Sequence, residues 1–189
     1  MLITNATHRL WTKEEYYRMA DAGIFAPQER VELIEGEIVA KSPQNPPHAF
    51  ALRRGNMLLT RLYGSTHVVA VQLPFDLDDR SQPEPDFALV KITDDKPDAH
   101  PKAADLIIEV AHSSLSFDRN EKASLYARAG ILDYWIVDLV NRRVEVYREP
   151  LSDAQGGYSY AQRQTLSPDA AVTPLLIPGG ECPLADFFG

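Results

Sequence analysis

In the run Leu106-Ile107-Ile108-Glu109-Val110-Ala111, only Glu109 is polar. Apolar side chains at both odd and even positions mark a strand covered on both faces. Such a strand belongs at the centre of a sheet with helices around it. Glu109 is then conspicuous, because an ionised carboxylate inside such a strand is costly unless something pairs with it.

Working outward, Asp118 to Ala129 reads as a helix, with Asp118 and Glu121 as cap and capping box and Gly130 as the C-terminal stop. Leu132 to Leu139 and Arg143 to Arg148 read as two strands around the turn Leu139-Val140-Asn141-Arg142. On the other side, Asp86 to Ile92 reads as a strand after Pro85. Asp78 to Pro83 is a turn, and His67 to Leu77 reads as a further strand. A helix is expected from about His48 to Tyr63, with Phe50, Met57, Leu58 and Leu62 among its apolar positions. Ser42-Pro43-Gln44-Asn45-Pro46-Pro47 reads as a breaker loop before it. Arg30 to Ile34 and Glu37 to Lys41 form a hairpin at Glu35-Gly36. Leu10 to Ala22 is a first helix, with Thr12 as N-cap and Glu15 completing the box. A strand near Gly157 to Gln164 and a short segment, Leu184 to Phe188, end the chain. The expected fold class is α/β (α+β), a mixed central sheet flanked by helices, as one domain over residues 1–189.

The 189 residues are 44% hydrophobic and 24% charged, as in ordinary globular domains. The one cysteine, Cys182, cannot form an intramolecular disulfide, so a reducing, cytoplasmic setting is expected. No apolar run approaches the ~20 residues of a membrane span, and Met1-Leu2-Ile3-Thr4-Asn5 lacks signal-peptide features. A net charge of -8 argues against a protein that coats nucleic acid through bulk positive charge. It is compatible with an enzyme that meets DNA through one groove and a bound cation.

Asp86 and Glu109 have the chemistry of a divalent-metal pair. Taken alone, Asp86 also fits a turn aspartate after Pro85. Lys122, near the start of its expected helix, runs against the helix dipole. It reads either as a solvated surface lysine or as a cation serving an anionic site. Glu32 alternates with core residues on its strand and is a possible accessory acid. Tyr126, four residues after Lys122, shares its helix face. His112 and His48 are candidate ligands or proton shuttles, although lone histidines are more often structural. No zinc spacing, P-loop, Gly-x-Gly-x-x-Gly or Gly-x-Ser-x-Gly pattern is present.

Three blocks carry a family resemblance: Glu109 to Leu115, Asp118 to Ile131 and Asp133 to Asp138. They resemble the Uma-two family of bacterial restriction-endonuclease-like proteins. Glu32 to Glu37, Pro85-Asp86, and the C-terminal Leu176 to Gly180 with Leu184 to Phe188 match further blocks. The resemblance implies a PD-(D/E)XK nuclease fold, with Asp86 and Glu109 as the two acids and as metal ligands. The usual lysine position, two residues after the second acid, is held by Ala111. The resemblance moves the lysine to the following helix, at Lys122, and places Glu32 near the metal. It implies a Mg²⁺-dependent DNA endonuclease, with Mn²⁺ as a substitute cation and a homodimer as the expected assembly. The alternative is a catalytically silent nuclease-fold binding or scaffolding protein, which the net charge and Ala111 favour. A metal-dependent hydrolase of a non-nucleic substrate is a third reading.

Overall fold

The computed structural model describes residues 8–177 and 180–188. Met1 to Asn5, and Pro178-Gly179 of the C-terminal motif, lie outside the described residues. The chain forms two compact units, Met1–Lys41 with Asp76–Pro83, and Ser42–Phe75 with Glu84–Gly189.

In the first unit, helix α1 (Lys13–Asp21) starts with the expected reciprocal cap. Thr12 Oγ1 accepts from the Glu15 amide, and the Glu15 carboxylate accepts from the Thr12 amide. Strands β1 (Val31–Ile34) and β2 (Glu37–Ala40) pair antiparallel. Glu35 and Gly36 both take positive φ, 50° and 83°, the two-residue turn that suits the twist of a hairpin. A side chain at Gly36 is also excluded by packing, since a Cβ there would lie 2.7 Å from Leu10 Cβ.

The second unit holds helix α2 (Pro46–Tyr63) and strands β3 (His67–Ala70), β4 (Phe87–Lys91), β5 (Leu106–Ala111), β6 (Asp133–Asp138), β7 (Arg143–Ser152) and β8 (Tyr158–Leu166). These six strands form one sheet in chain order. The β5–β6 pair is parallel and the rest are antiparallel. This is the expected mixed sheet, with β5 and β6 buried at every position. A parallel pair needs a crossover, and the helical run between β5 and β6 supplies it.

The sheet's two faces differ in chemistry. Leu106, Ile108 and Val110 join Phe87, Leu89, Trp135, Val137, Val144 and Val146 in an aliphatic and aromatic core with α2 and the C-terminal Leu184 and Phe187. Gly55 allows that close packing, because a Cβ there would lie 2.6 Å from Phe187 Cε1 and 2.7 Å from Phe87 Cζ. By strand alternation, Glu109, Tyr134, Ile136, Glu145 and Tyr147 point to the other face.

Several elements depart from expectation. Helix α2 begins at Pro46, two residues early, because Asn45 caps it and a proline in the first turn has no amide to leave unpaired. Its buried side is Ala51, Leu52, Gly55, Leu58, Leu59 and Tyr63, while Phe50 and Met57 are exposed. The stripe is set by the glycine contact rather than by the largest apolar residues. Strand β3 ends at Ala70, since Gln72 takes φ 51° and cannot continue an extended chain. The helix expected from Asp118 starts earlier. It runs as α3 (Leu115–Phe117), one π-helical turn over Asp118–Lys122, and α4 (Ala123–Arg128). Ser114 is its N-cap residue, and Asp118 is tied back to it through Ser114 Oγ at 2.6 Å. The wide turn has a visible cause. The Asp118 carbonyl accepts from the Ala123 amide five residues on, and also from the Tyr134 hydroxyl at 3.0 Å. Strands β9 (Ala171–Val172) and β10 (Cys182–Pro183) form a small antiparallel pair that the sequence did not suggest. The expected C-terminal segment is a short 3-10 helix, Leu184–Phe187.

Candidate active site

The β4–β5 ladder pairs Phe87 with Ile108, and one further antiparallel step sets Asp86 opposite Glu109. Directly opposed residues on one face bring their side chains together. Here the two acids interlock through the backbone. Asp86 Oδ2 accepts from the Val110 amide at 2.8 Å, and Glu109 Oε2 accepts from the Asp86 amide at 3.3 Å. That side-chain bond takes the Asp86 amide, which explains why β4 begins one residue later.

Glu109 Oε1 accepts from Lys122 Nζ at 2.9 Å and from the Tyr126 hydroxyl at 2.8 Å. The crossover therefore delivers two residues, four apart, onto one carboxylate oxygen. Lys122 and Glu109 are each only 5% exposed at the side chain. A buried pair of this kind holds together only because both charges are met.

Asp86 is held on both oxygens. Oδ1 accepts from Gln72 Nε2 at 2.8 Å, and Oδ2 lies 3.2 Å from His48 Nε2 as well as on the Val110 amide. Burial pushes its pKa upward, but the bonds and charge of His48 and the donors Gln72 and Val110 outweigh that. They hold the carboxyl below the ordinary aspartate value.

Three of the four expected site residues, Asp86, Glu109 and Lys122, are thus brought together. Glu32 belongs to the first unit, where its buried carboxylate lies 3.9 Å from Lys41 Nζ. Tyr126 and His48, left open by the sequence, both touch the acidic pair. His112 is exposed just beyond β5. Gln72 had no sequence signal. It sat inside a stretch read as a strand, and only its left-handed backbone marks it as unusual.

Among the described residues, no three or more His, Cys, Asp or Glu side chains are gathered to hold a metal ion. Two facing carboxylates nevertheless suit Mg²⁺, which takes few protein oxygens and keeps several waters. No described helix is long and apolar enough to cross a membrane.

No curated protein matches the chain. Among solved structures, "a putative nuclease belonging to DUF820 from Anabaena variabilis ATCC 29413" superposes with a TM-score of 0.70 at 18% identity, covering 94% of this chain and 97% of that one. At that identity the likeness speaks to the fold. A family model described as "Putative restriction endonuclease" matches residues 13–185. The chain belongs to the Uma2 family.

Proposed function

We propose that the protein is a Mg²⁺-dependent endodeoxyribonuclease whose PD-(D/E)XK-type site is Asp86, Glu109 and Lys122. One observation carries this reading. Two buried carboxylates stand opposite each other, and the buried Lys122 ammonium lies 2.9 Å from one of them, Glu109. Two carboxylates held side by side present the hard oxygen donors that a divalent cation such as Mg²⁺ takes. Asp86 and Glu109 would hold that cation. When bound, a divalent ion polarises a phosphate and lowers the pKa of the attacking water.

The chain's own residues would do the rest. The depressed pKa of Asp86 keeps it ionised, as a metal ligand must be. Lys122 holds an ammonium beside Glu109, in place of the usual lysine at the Ala111 position. There it would orient the attacking water and offset the charge that grows on the phosphate. The Tyr126 hydroxyl fixes the same Glu109 oxygen. The cytoplasm as the site of action and the homodimer belong to this reading. So does Glu32 as an accessory acid.

The test is nicking of supercoiled plasmid with Mg²⁺ or Mn²⁺. Asp86→Asn and Lys122→Met should each lower the rate by about 10²-fold or more. Cutting at the wild-type rate by either variant overturns the assignment. The second reading, a silent nuclease-fold binding protein, is favoured by the net charge of -8. A wild-type protein that never nicks DNA, binds no metal and captures a protein partner would establish it.

A further inference from the structure

Two histidines in the second unit each face an aspartate, and they differ in a telling way. His67 is satisfied on both nitrogens, with Nδ1 2.8 Å from Thr66 Oγ1 and Nε2 3.0 Å from Asp105 Oδ2. Lys91 Nζ also lies 3.4 Å from Asp105 Oδ2. That is a saturated structural cluster. His48 has Asp86 on Nε2, whereas its buried Nδ1 meets no protein hydrogen-bond partner among the described residues. The one polar attachment of its ring within the described protein is the site carboxylate.

Gln72 makes the matching contact on the other oxygen. Its side-chain amide donates to Asp86 Oδ1 at 2.8 Å. Its backbone sits in the left-handed region at φ 51°, a conformation that costs a non-glycine residue energy and persists where surrounding contacts impose it. Its amide nitrogen reaches the Pro85 carbonyl at 3.1 Å and the Asp86 carbonyl at 3.3 Å. Strained backbone and side chain thus both converge on the Pro85-Asp86 segment.

We propose that His48 and Gln72 are positioning residues that clamp the two oxygens of Asp86, so that the carboxylate is held ready for a divalent cation. The inference rests on the metal reading above. A carboxylate only accepts hydrogen bonds, so the Nε2 facing Asp86 carries a hydrogen. The clamp therefore has one imidazole donor on Oδ2 and one amide donor on Oδ1. Outer partners of this kind orient a ligand and cut the entropy lost when the ion arrives.

The experiment is calorimetric titration of the full chain with Mn²⁺ alone, with the urea midpoint of each variant measured in parallel. His48→Phe and Gln72→Leu should each weaken Mn²⁺ binding about 10–100-fold. His48→Gln, whose amide can reach the Nε2 position, should stay within a few-fold of wild type. His48→Asn, whose shorter amide falls at the Nδ1 position, should behave like His48→Phe and replaces it if that variant does not fold. His67→Phe, in the saturated cluster, should lower stability and leave Mn²⁺ affinity unchanged. Wild-type affinity in His48→Asn and Gln72→Leu overturns the clamp while the metal reading stands. The clamp is equally overturned if His48→Gln binds Mn²⁺ as weakly as His48→Asn. A wild-type protein that takes up no Mn²⁺ overturns both.

Discussion

Glu109 and Glu145 occupy one row of the sheet, on either side of Ile136, roughly 10 Å apart by strand spacing. Both are buried acids in strands. Each accepts from a tyrosine hydroxyl at 2.8 Å, Tyr126 for Glu109 and Tyr147 for Glu145. Their cations differ. Glu145 is gripped on both oxygens by the Arg119 guanidinium and lies 3.4 Å from Arg143, which also pairs with Asp138. Two acids there meet two arginines, whose side chains are 33% and 35% exposed. Glu109 meets the buried Lys122 ammonium, and its neighbour is another acid, Asp86, itself bound by His48. Burial of an acid in a strand is therefore not by itself a mark of chemistry. The mark is a second carboxylate set directly opposite it on the neighbouring strand.

That contrast can be broken by removing one cation from each cluster. Lys122→Met leaves Glu109 without its cation in a buried site beside Asp86, and should cost about 3–5 kcal/mol in urea denaturation. The double variant Lys122→Met with Glu109→Leu should recover most of that, because an apolar pair of similar size often replaces a buried ion pair without loss. Arg119→Lys should cost far less. Glu145 keeps Arg143 and Tyr147, and the change removes only the two-pronged geometry, about 0.5–1 kcal/mol. Equal losses for Lys122→Met and Arg119→Lys would mean the two clusters are energetically alike. The distinction between a paired-acid site and an arginine-held structural acid would then fail.

The same contrast shows what could be read from the chain. The Glu109 strand was legible because an acid interrupts a run apolar on both faces, a pattern that alternation cannot hide. Asp86 was legible from Pro85 before it and the apolar strand after it. Lys122 was legible as a cation oddly placed near a helix start, although the true helix begins at Leu115 and the lysine sits in a π-helical turn. That turn depends on a hydroxyl from Tyr134, on another strand, so no local pattern announces it. Glu145 passed unnoticed because an acid alternating with valines looks like a solvent-facing strand residue. Its burial comes from the crossover packing above it. Gln72 and His48 were out of reach for a related reason. Each gains its meaning from one contact to Asp86, from positions 14 and 38 residues away in sequence. The two-unit division likewise follows from where residues 76–83 pack, and nothing in their composition sets them apart.

The smallest expected effect sharpens the comparison through pH and salt. At Asp86 and at Glu145 burial raises the pKa, and bound partners more than reverse it, leaving both below their ordinary values. A carboxyl whose folded pKa is depressed stabilises the fold above its unfolded pKa, and that stability is lost as pH falls through the folded value. Both groups should therefore steepen the loss of stability below about pH 4, where free carboxyls begin to protonate. Asp86→Asn and Glu145→Gln should each flatten that acid limb in denaturation series run from neutral pH downward. The sources of the shift then separate the two. Glu145 owes its shift mainly to Arg119, with Tyr147 and Arg143 adding to it, and these arginines are partly exposed, so about 0.5 M NaCl should weaken their effect. Asp86 is held by His48, Gln72 and the Val110 amide in a buried setting, which salt screens much less. Added salt should thus shrink the difference between wild type and Glu145→Gln on the acid limb, and leave the difference between wild type and Asp86→Asn nearly intact. If salt erases both differences alike, the Asp86 carboxylate is open to solvent ions. The buried, pre-set ligand on which the metal reading depends would then not exist.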